Sequence, residues 1–185
     1  MINVFFTSQA WLKAYLPISQ NVQFQDLVPH LQTVHQINLN EFLGTNFFNY
    51  LLDTFSAQTL NANETILVED YIKPYTAWQM LFYAFPYMSY QLFNKGVLQL
   101  TSENGNATDL DVIKYMQKLT NDRAQWFSQR LINYLCDNSS LFPQYQTNNG
   151  DDIKPFKGNT TYEADLYLGF DYHDRQNRLL RYIRE

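Results

Sequence analysis

The chain has 185 residues, 45% hydrophobic and 17% aromatic, with a formal net charge of -5 at pH 7. That length suits one domain with a proper core plus a peripheral arm, the hydrophobic content excludes general disorder, and the acidity argues against a nucleic-acid-binding body. The single cysteine, Cys136, excludes an internal disulfide, no Cys/His cluster has metal-ligand spacing, and the opening M-I-N-V-F-F-T-S lacks the basic-then-apolar pattern of a secretory signal.

Along the chain, Thr7 or Ser8 caps a short helix, A-W-L-K-A-Y-L, which Pro17 stops. Phe24, Leu27/Val28, Leu31, Val34, Leu39 and Phe42 then recur mostly every three or four residues. The spacing predicts a helix over 26–43, with Asp26 as cap, Pro29 in the first turn and Gly44 as the stop. A further helix restarts at Thr45 or Asn46 and carries Phe47, Phe48, Leu51, Leu52 and Phe55. After a turn at residues 60–63 comes the most conspicuous segment, Pro74 to Asn94, 21 residues without a charge between Lys73 and Lys95. It is long enough to span a bilayer. Two prolines, four tyrosines and only two leucines make it a buried helix of an all-α domain instead, because membrane spans are dominated by aliphatic side chains. Tyr71, Tyr75, Trp78, Phe82, Phe85 and Leu92 follow near-heptad spacing, and Pro86 is expected to bend the helix.

Residues 96–108 read as a polar connection. Thr108, with Asp111 three residues on, opens a long amphipathic helix ending near Asp137. Its expected inner face is Met116, Leu119, Ala124, Phe127, Leu131 and Tyr134; Lys114, Lys118, Asp122, Gln129 and Asn133 form the outer one. The expectation is an all-α bundle of about four to five helices over 1–144. Residues 145–185 follow as an extended C-terminal arm with a short basic terminal helix. The arm's entry at Thr147 to Asp152 is linker-like, and residues 160–172 are too weakly periodic for a packed helix. Residues 174–185 carry four arginines and two acids, against an acidic remainder.

The residues give no sign of catalysis, and no catalytic, cofactor-binding or metal-binding residue is expected. His30 and His35 are five apart, about 140° around a helix, so they do not share a metal-binding face. Asp109/Asp111 and Asp151/Asp152 read as helix capping and loop solvation. No G-x-S-x-G, P-loop or G-x-G-x-x-G motif is present. An aromatic-rich helical body with an arm points to an assembly protein. The aromatic residues Phe156, Tyr162, Tyr167 and Phe170 and the tip Arg175, Arg178, Arg181 and Arg184 are its expected contacts with a subunit or partner.

Over residues 20–140 the chain resembles the head-tail connector proteins of Bacteroidetes-infecting tailed phages, including the crAss-like phages. The resemblance lies in D-L-V-P-H-L-Q-T-V-H-Q-I-N-L-N-E-F-L-G-T-N-F-F-N-Y-L-L, where a helix ends in Leu43-Gly44 and the next carries Tyr50-Leu51-Leu52. A long helix with Pro74 and an aromatic run, Asn94-Lys95-Gly96-Val97, a polar loop and a long amphipathic helix continue it. The resemblance implies a structural virion protein at the head-tail junction: a homo-oligomeric, dodecameric ring bound beneath the portal protein and meeting tail or further ring proteins. DNA would pass through its channel without sequence-specific binding. No membrane, cofactor or enzymatic activity is implied. The other class compatible with the residues is a non-catalytic helical module that binds a protein or peptide.

Overall fold

A computed structural model describes residues 9–93, 96–99, 110–146 and 152–157. The architecture is all-α. Helix α1 (Gln9–Tyr15) leads into α2 (Phe24–Thr33), a wide π turn (Val34–Leu39) and α3 (Asn40–Leu43). Helix α4 (Thr45–Ser56) follows, then α5 (Ala62–Ile66), a second π turn (Leu67–Ile72) and α6 (Lys73–Ser89). After α6 a two-stranded antiparallel ribbon, β1 (Tyr90–Phe93) and β2 (Gly96–Gln99), pairs Tyr90 with Gln99 and Phe93 with Gly96. Helix α7 (Leu110–Asp137), a 3₁₀ turn (Ser139–Leu141) and α8 (Pro143–Gln146) complete the elements.

The expected helix over 26–43 is present, but it starts at Phe24 and its entry is uncapped. Gln23 holds the cap position without a side-chain bond, and Asp26 lies inside the first turn. The π turn answers a defect in the apolar spacing. Val34 and Leu39 are five residues apart and both fully buried, which requires the wider i→i+5 turn to keep them on one face. The same arithmetic holds for Leu67 and Ile72 in the second π turn. Between α4 and α5, Asn61 and Glu64 form a reciprocal capping box. Asn61 Oδ1 accepts from the Glu64 N–H and a Glu64 carboxylate oxygen accepts from the Asn61 N–H, each at 2.9 Å. Tyr50 donates its hydroxyl to the same carboxylate at 2.9 Å, which ties α4 to the start of α5.

The uncharged segment is core along most of its helix. Tyr75, Ala77, Met80, Leu81 and Ala84 are buried against Leu27, Leu31 and Val34 of the first helical stretch and Leu131 and Leu135 of α7, within one apolar cluster. Full burial of each leucine contributes about 1.5–3 kcal/mol. Among the described residues no helix is long and apolar enough to cross a membrane. Two expectations here need correction. Leu92 lies on β1 rather than on the helix, because α6 ends three residues after Pro86, whose missing N–H weakens the final turn. Residues 96–99 of the presumed polar connection form β2.

The boundary drawn between 144 and 145 falls inside α8. Phe142 and Tyr145 are fully buried, with ring centroids 5.7 and 6.0 Å from Phe47 of α4. The chain then returns to the helical body at 152–157. Gly44 breaks α3 from α4 at φ +75°, a conformation that glycine tolerates and other residues rarely adopt. The break leaves helix-end groups without intrahelical partners, and residues 153–156 supply them. The Thr45 N–H donates to the Ile153 carbonyl at 3.0 Å, and the Phe156 N–H donates to the Glu41 carbonyl at 2.9 Å. Pro155 is buried so closely over Gly44 that a Cβ at 44 would stand 2.6 Å from its Cδ.

Gly44→Ala is therefore expected to lower stability through two separable causes, the positive φ and the proline, with ~1–3 kcal/mol from the backbone alone. Adding Pro155→Ala should restore only the part due to the clash. Urea unfolding of the two variants and the wild type checks this, and equal stability of Gly44→Ala and wild type would refute it. A second prediction concerns His35, buried in the π turn, where desolvation pushes its pKa down to about 4. The unfolded chain binds this proton near pH 6.5 and the folded chain does not. Stability is thus complete above about pH 6.5 and is lost as pH falls toward 4, by up to about 3 kcal/mol. In His35→Gln, melting curves across that range should show a shallower pH dependence.

Candidate functional site

Helix α7 is long enough to carry two seams. The inward one is Ile113, Thr120, Ala124, Ser128, Leu131, Ile132 and Leu135, all buried. This corrects the expected inner face: Ala124 and Leu131 belong to it, whereas Met116 is exposed and Leu119 only half-buried. The outward seam is Val112, Met116, Leu119, Arg123, Trp126, Arg130, Asn133 and Asp137, spaced alternately by four and three residues. Such spacing keeps a continuous stripe on one side of a helix. All but Leu119 are exposed, and Trp126 leaves 53% of its surface in solvent. Beside the Val112 end, Tyr87, Met88, Leu110 and Tyr115 are exposed as well.

The stripe is braced by the antiparallel partner helix. The Arg130 guanidinium lies 4.5 Å from the centre of the Tyr71 ring, and Arg123 lies 4.5 Å from that of Trp78. Each pair is seven residues apart on its own helix, so the same rung is built twice, with a rise of about 10.5 Å between rungs. Gln117 continues the register by donating to the Phe82 carbonyl at 3.1 Å. Trp78 is consequently half-buried, covered by Arg123 and by the edge of Tyr15, and is not a core residue. At the other end, Tyr71 stacks on Tyr134 at 4.1 Å, and Arg130 also stands 5.9 Å from Trp126 and donates to the Asp70 carbonyl at 3.4 Å. Burial, before any charge effect, pushes the Tyr134 hydroxyl pKa up. Tyr71, Trp126, Arg130, Asn133, Tyr134 and Asp137 line a groove of about 430 Å³.

Chemically the groove presents flat rings, a guanidinium edge, amides and one carboxylate. Among the described residues no three His, Cys, Asp or Glu side chains gather into a metal-ligand set. His30 packs against Tyr87, with ring centroids 5.3 Å apart. Of the residues expected to make contacts, Phe156 is 40% exposed beside the Gly44 junction. Tyr162, Tyr167, Phe170, Arg175, Arg178, Arg181 and Arg184 lie outside the described residues. The groove residues are absent from the sequence expectation. Their signal was available in two matching sevens: Tyr71/Trp78, and Arg123/Arg130, the first two arginines of the chain.

These features describe a helical protein with an outward-facing helix surface. The chain belongs to a family of unknown function (DUF6712), whose model matches residues 39–155. The match ends at the proline that covers Gly44. No curated protein and no solved structure matches the chain.

The rungs predict a measurable coupling. In a double-mutant cycle of Arg130→Gln and Tyr71→Leu, the interaction energy from chemical denaturation should be about 0.5–1 kcal/mol, the range for an exposed cation–π pair. Additive single-variant losses would show that the stacking carries no energy.

Proposed function

We propose that this protein is a structural subunit of a tailed-phage head-tail connector, a ring component beneath the portal that extends the DNA channel and links capsid to tail. The observation that carries the reading is the outward seam of α7, with Met116 and Trp126 exposed on a helix whose opposite side is already packed. Trp, Tyr, Met and Arg are the residue types enriched at protein interfaces, and here they share one stripe. The virion context comes from the resemblance over residues 20–140. The acidic balance supports it too, since a negative lumen repels phosphate and lets DNA pass. In this reading the partners are further copies in a ring, the portal, and tail or further ring proteins. The arginine tip at 175–184 meets an acidic partner surface, and the protein does no catalysis. The groove at Tyr71 and Trp126 favours a second reading, a non-catalytic module that binds a peptide.

The protein should co-sediment with intact virions. Trp126→Asp combined with Met116→Asp should leave the helical circular dichroism and melting temperature near wild type, because both positions are exposed, yet remove the protein from particles. A folded double variant that still enters virions would exclude the α7 seam as the assembly surface. Absence of the wild-type protein from virions would refute the connector assignment and leave the peptide-binding module.

A further inference from the structure

The groove along α7 has a fixed wall and a set of uncommitted polar groups. The wall is Tyr71, Tyr134 and Arg130, which engage one another: Tyr71 stacks on Tyr134 at 4.1 Å, carries the Arg130 guanidinium at 4.5 Å, and Arg130 donates to the Asp70 carbonyl. The remaining groups are the Trp126 indole N–H, the Asn133 amide and the Asp137 carboxylate. Asn133 uses its Oδ1 to accept from Gln129 at 2.8 Å, which leaves its Nδ2 as a donor. Among the described residues the ion pairs are Lys73–Glu69 and Lys114–Asp111, so Asp137 has no cation there. Trp126, Asn133 and Asp137 are all exposed.

Their spacing defines what can lie across them. Trp126 and Asn133 are seven residues apart and Asn133 and Asp137 four, which sets them about 10.5 Å and about 6 Å apart along the helix. A ligand that meets all three brings an apolar face to the indole, a carbonyl to an amide donor one step of about 10 Å further, and a cation beyond that. A polyproline II segment has these properties. It has three residues per turn and a rise of 3.1 Å, so one face recurs about every 9.3 Å, and its carbonyls stand unbonded and open to donors. Proline brings no N–H that would need an acceptor, and aromatic-lined grooves are the sites on which such segments dock. The lone carboxylate at one end complements a lysine or arginine flanking the prolines and repels an acidic segment.

We propose that this groove binds a proline-rich segment of another protein in the polyproline II conformation. Prolines lie on the Trp126 ring, a backbone carbonyl accepts from Asn133 Nδ2, and a flanking basic side chain meets the Asp137 carboxylate. The proposal rests on the peptide-binding reading of the groove, whose ligand class it names, and is independent of the virion reading.

Fluorescence anisotropy of dye-labelled synthetic peptides, titrated with the full-length protein, tests it. The first peptide is Arg-Pro-Pro-Leu-Pro-Pro-Leu-Pro-Arg; in the second every proline is alanine, and in the third both arginines are glutamate. The first should bind saturably and at least tenfold more tightly than either of the others. Trp126→Ala should weaken it at least tenfold. Asp137→Lys should weaken it at least fivefold and tighten the glutamate peptide. Both positions are exposed, so circular dichroism of the variants should match wild type. No saturable binding, equal affinity for the alanine peptide, or affinity unchanged by either folded variant would each overturn the proposal. A random-sequence peptide array probed with the wild-type and Trp126→Ala proteins separates this failure from that of the broader reading. Trp126-dependent binders without proline would overturn the ligand class alone, and the absence of any Trp126-dependent binder would overturn the peptide-binding reading with it.

Discussion

The break at Gly44 is the point on which the rest of the described structure depends. A helix interrupted at a positive φ leaves carbonyls at the end of α3 and N–H groups at the start of α4 without their own partners. Side-chain caps usually meet that need, and Gly44 has no side chain to offer. Backbone from 153–156, more than one hundred residues further along, takes the role and lays Pro155 over the glycine. Glycine is required twice at this one position, for its conformation and for the space its missing Cβ leaves. The body of the protein thus extends to residue 157, and α8 is held between α4 and this returning segment.

The second constraint is the register of α6 against α7. Turning α7 by one residue would rotate its faces by about 100°, carrying arginines toward the core and leucines toward water. The buried side specifies one register through Ala124, Leu131 and Leu135, and the surface repeats it through the rungs Tyr71–Arg130 and Trp78–Arg123. Core packing contributes most of the energy, and the rungs add little each. What the rungs add is geometry. They hold two guanidinium groups and an indole in a fixed arrangement on the surface, which is what a selective binding face needs.

Membership in a family of unknown function assigns neither partner nor activity. The proposed function therefore rests on the surface, where α7 has one side buried and a second seam in solvent. A connector subunit and a peptide-binding module both use such a face. They differ in whether the occupant is a neighbour in an assembly or a free segment.

The sequence by itself determined the helical class, the helix from Thr45, the long helix after 108, the stop at Gly44 and the buried character of the uncharged stretch over most of 74–84. Each of these follows from local spacing, turn chemistry or composition, which are properties of neighbouring residues. Only the tertiary structure decided which of the two heptad stripes on α7 turns inward, since both contain apolar residues and the choice depends on what α6 presents. It alone decided that residues after Gln99's ribbon resume as α7 antiparallel to α6, and that Phe142, Tyr145 and Pro155 belong to the body. Those contacts join positions far apart in the chain, where periodicity carries no information.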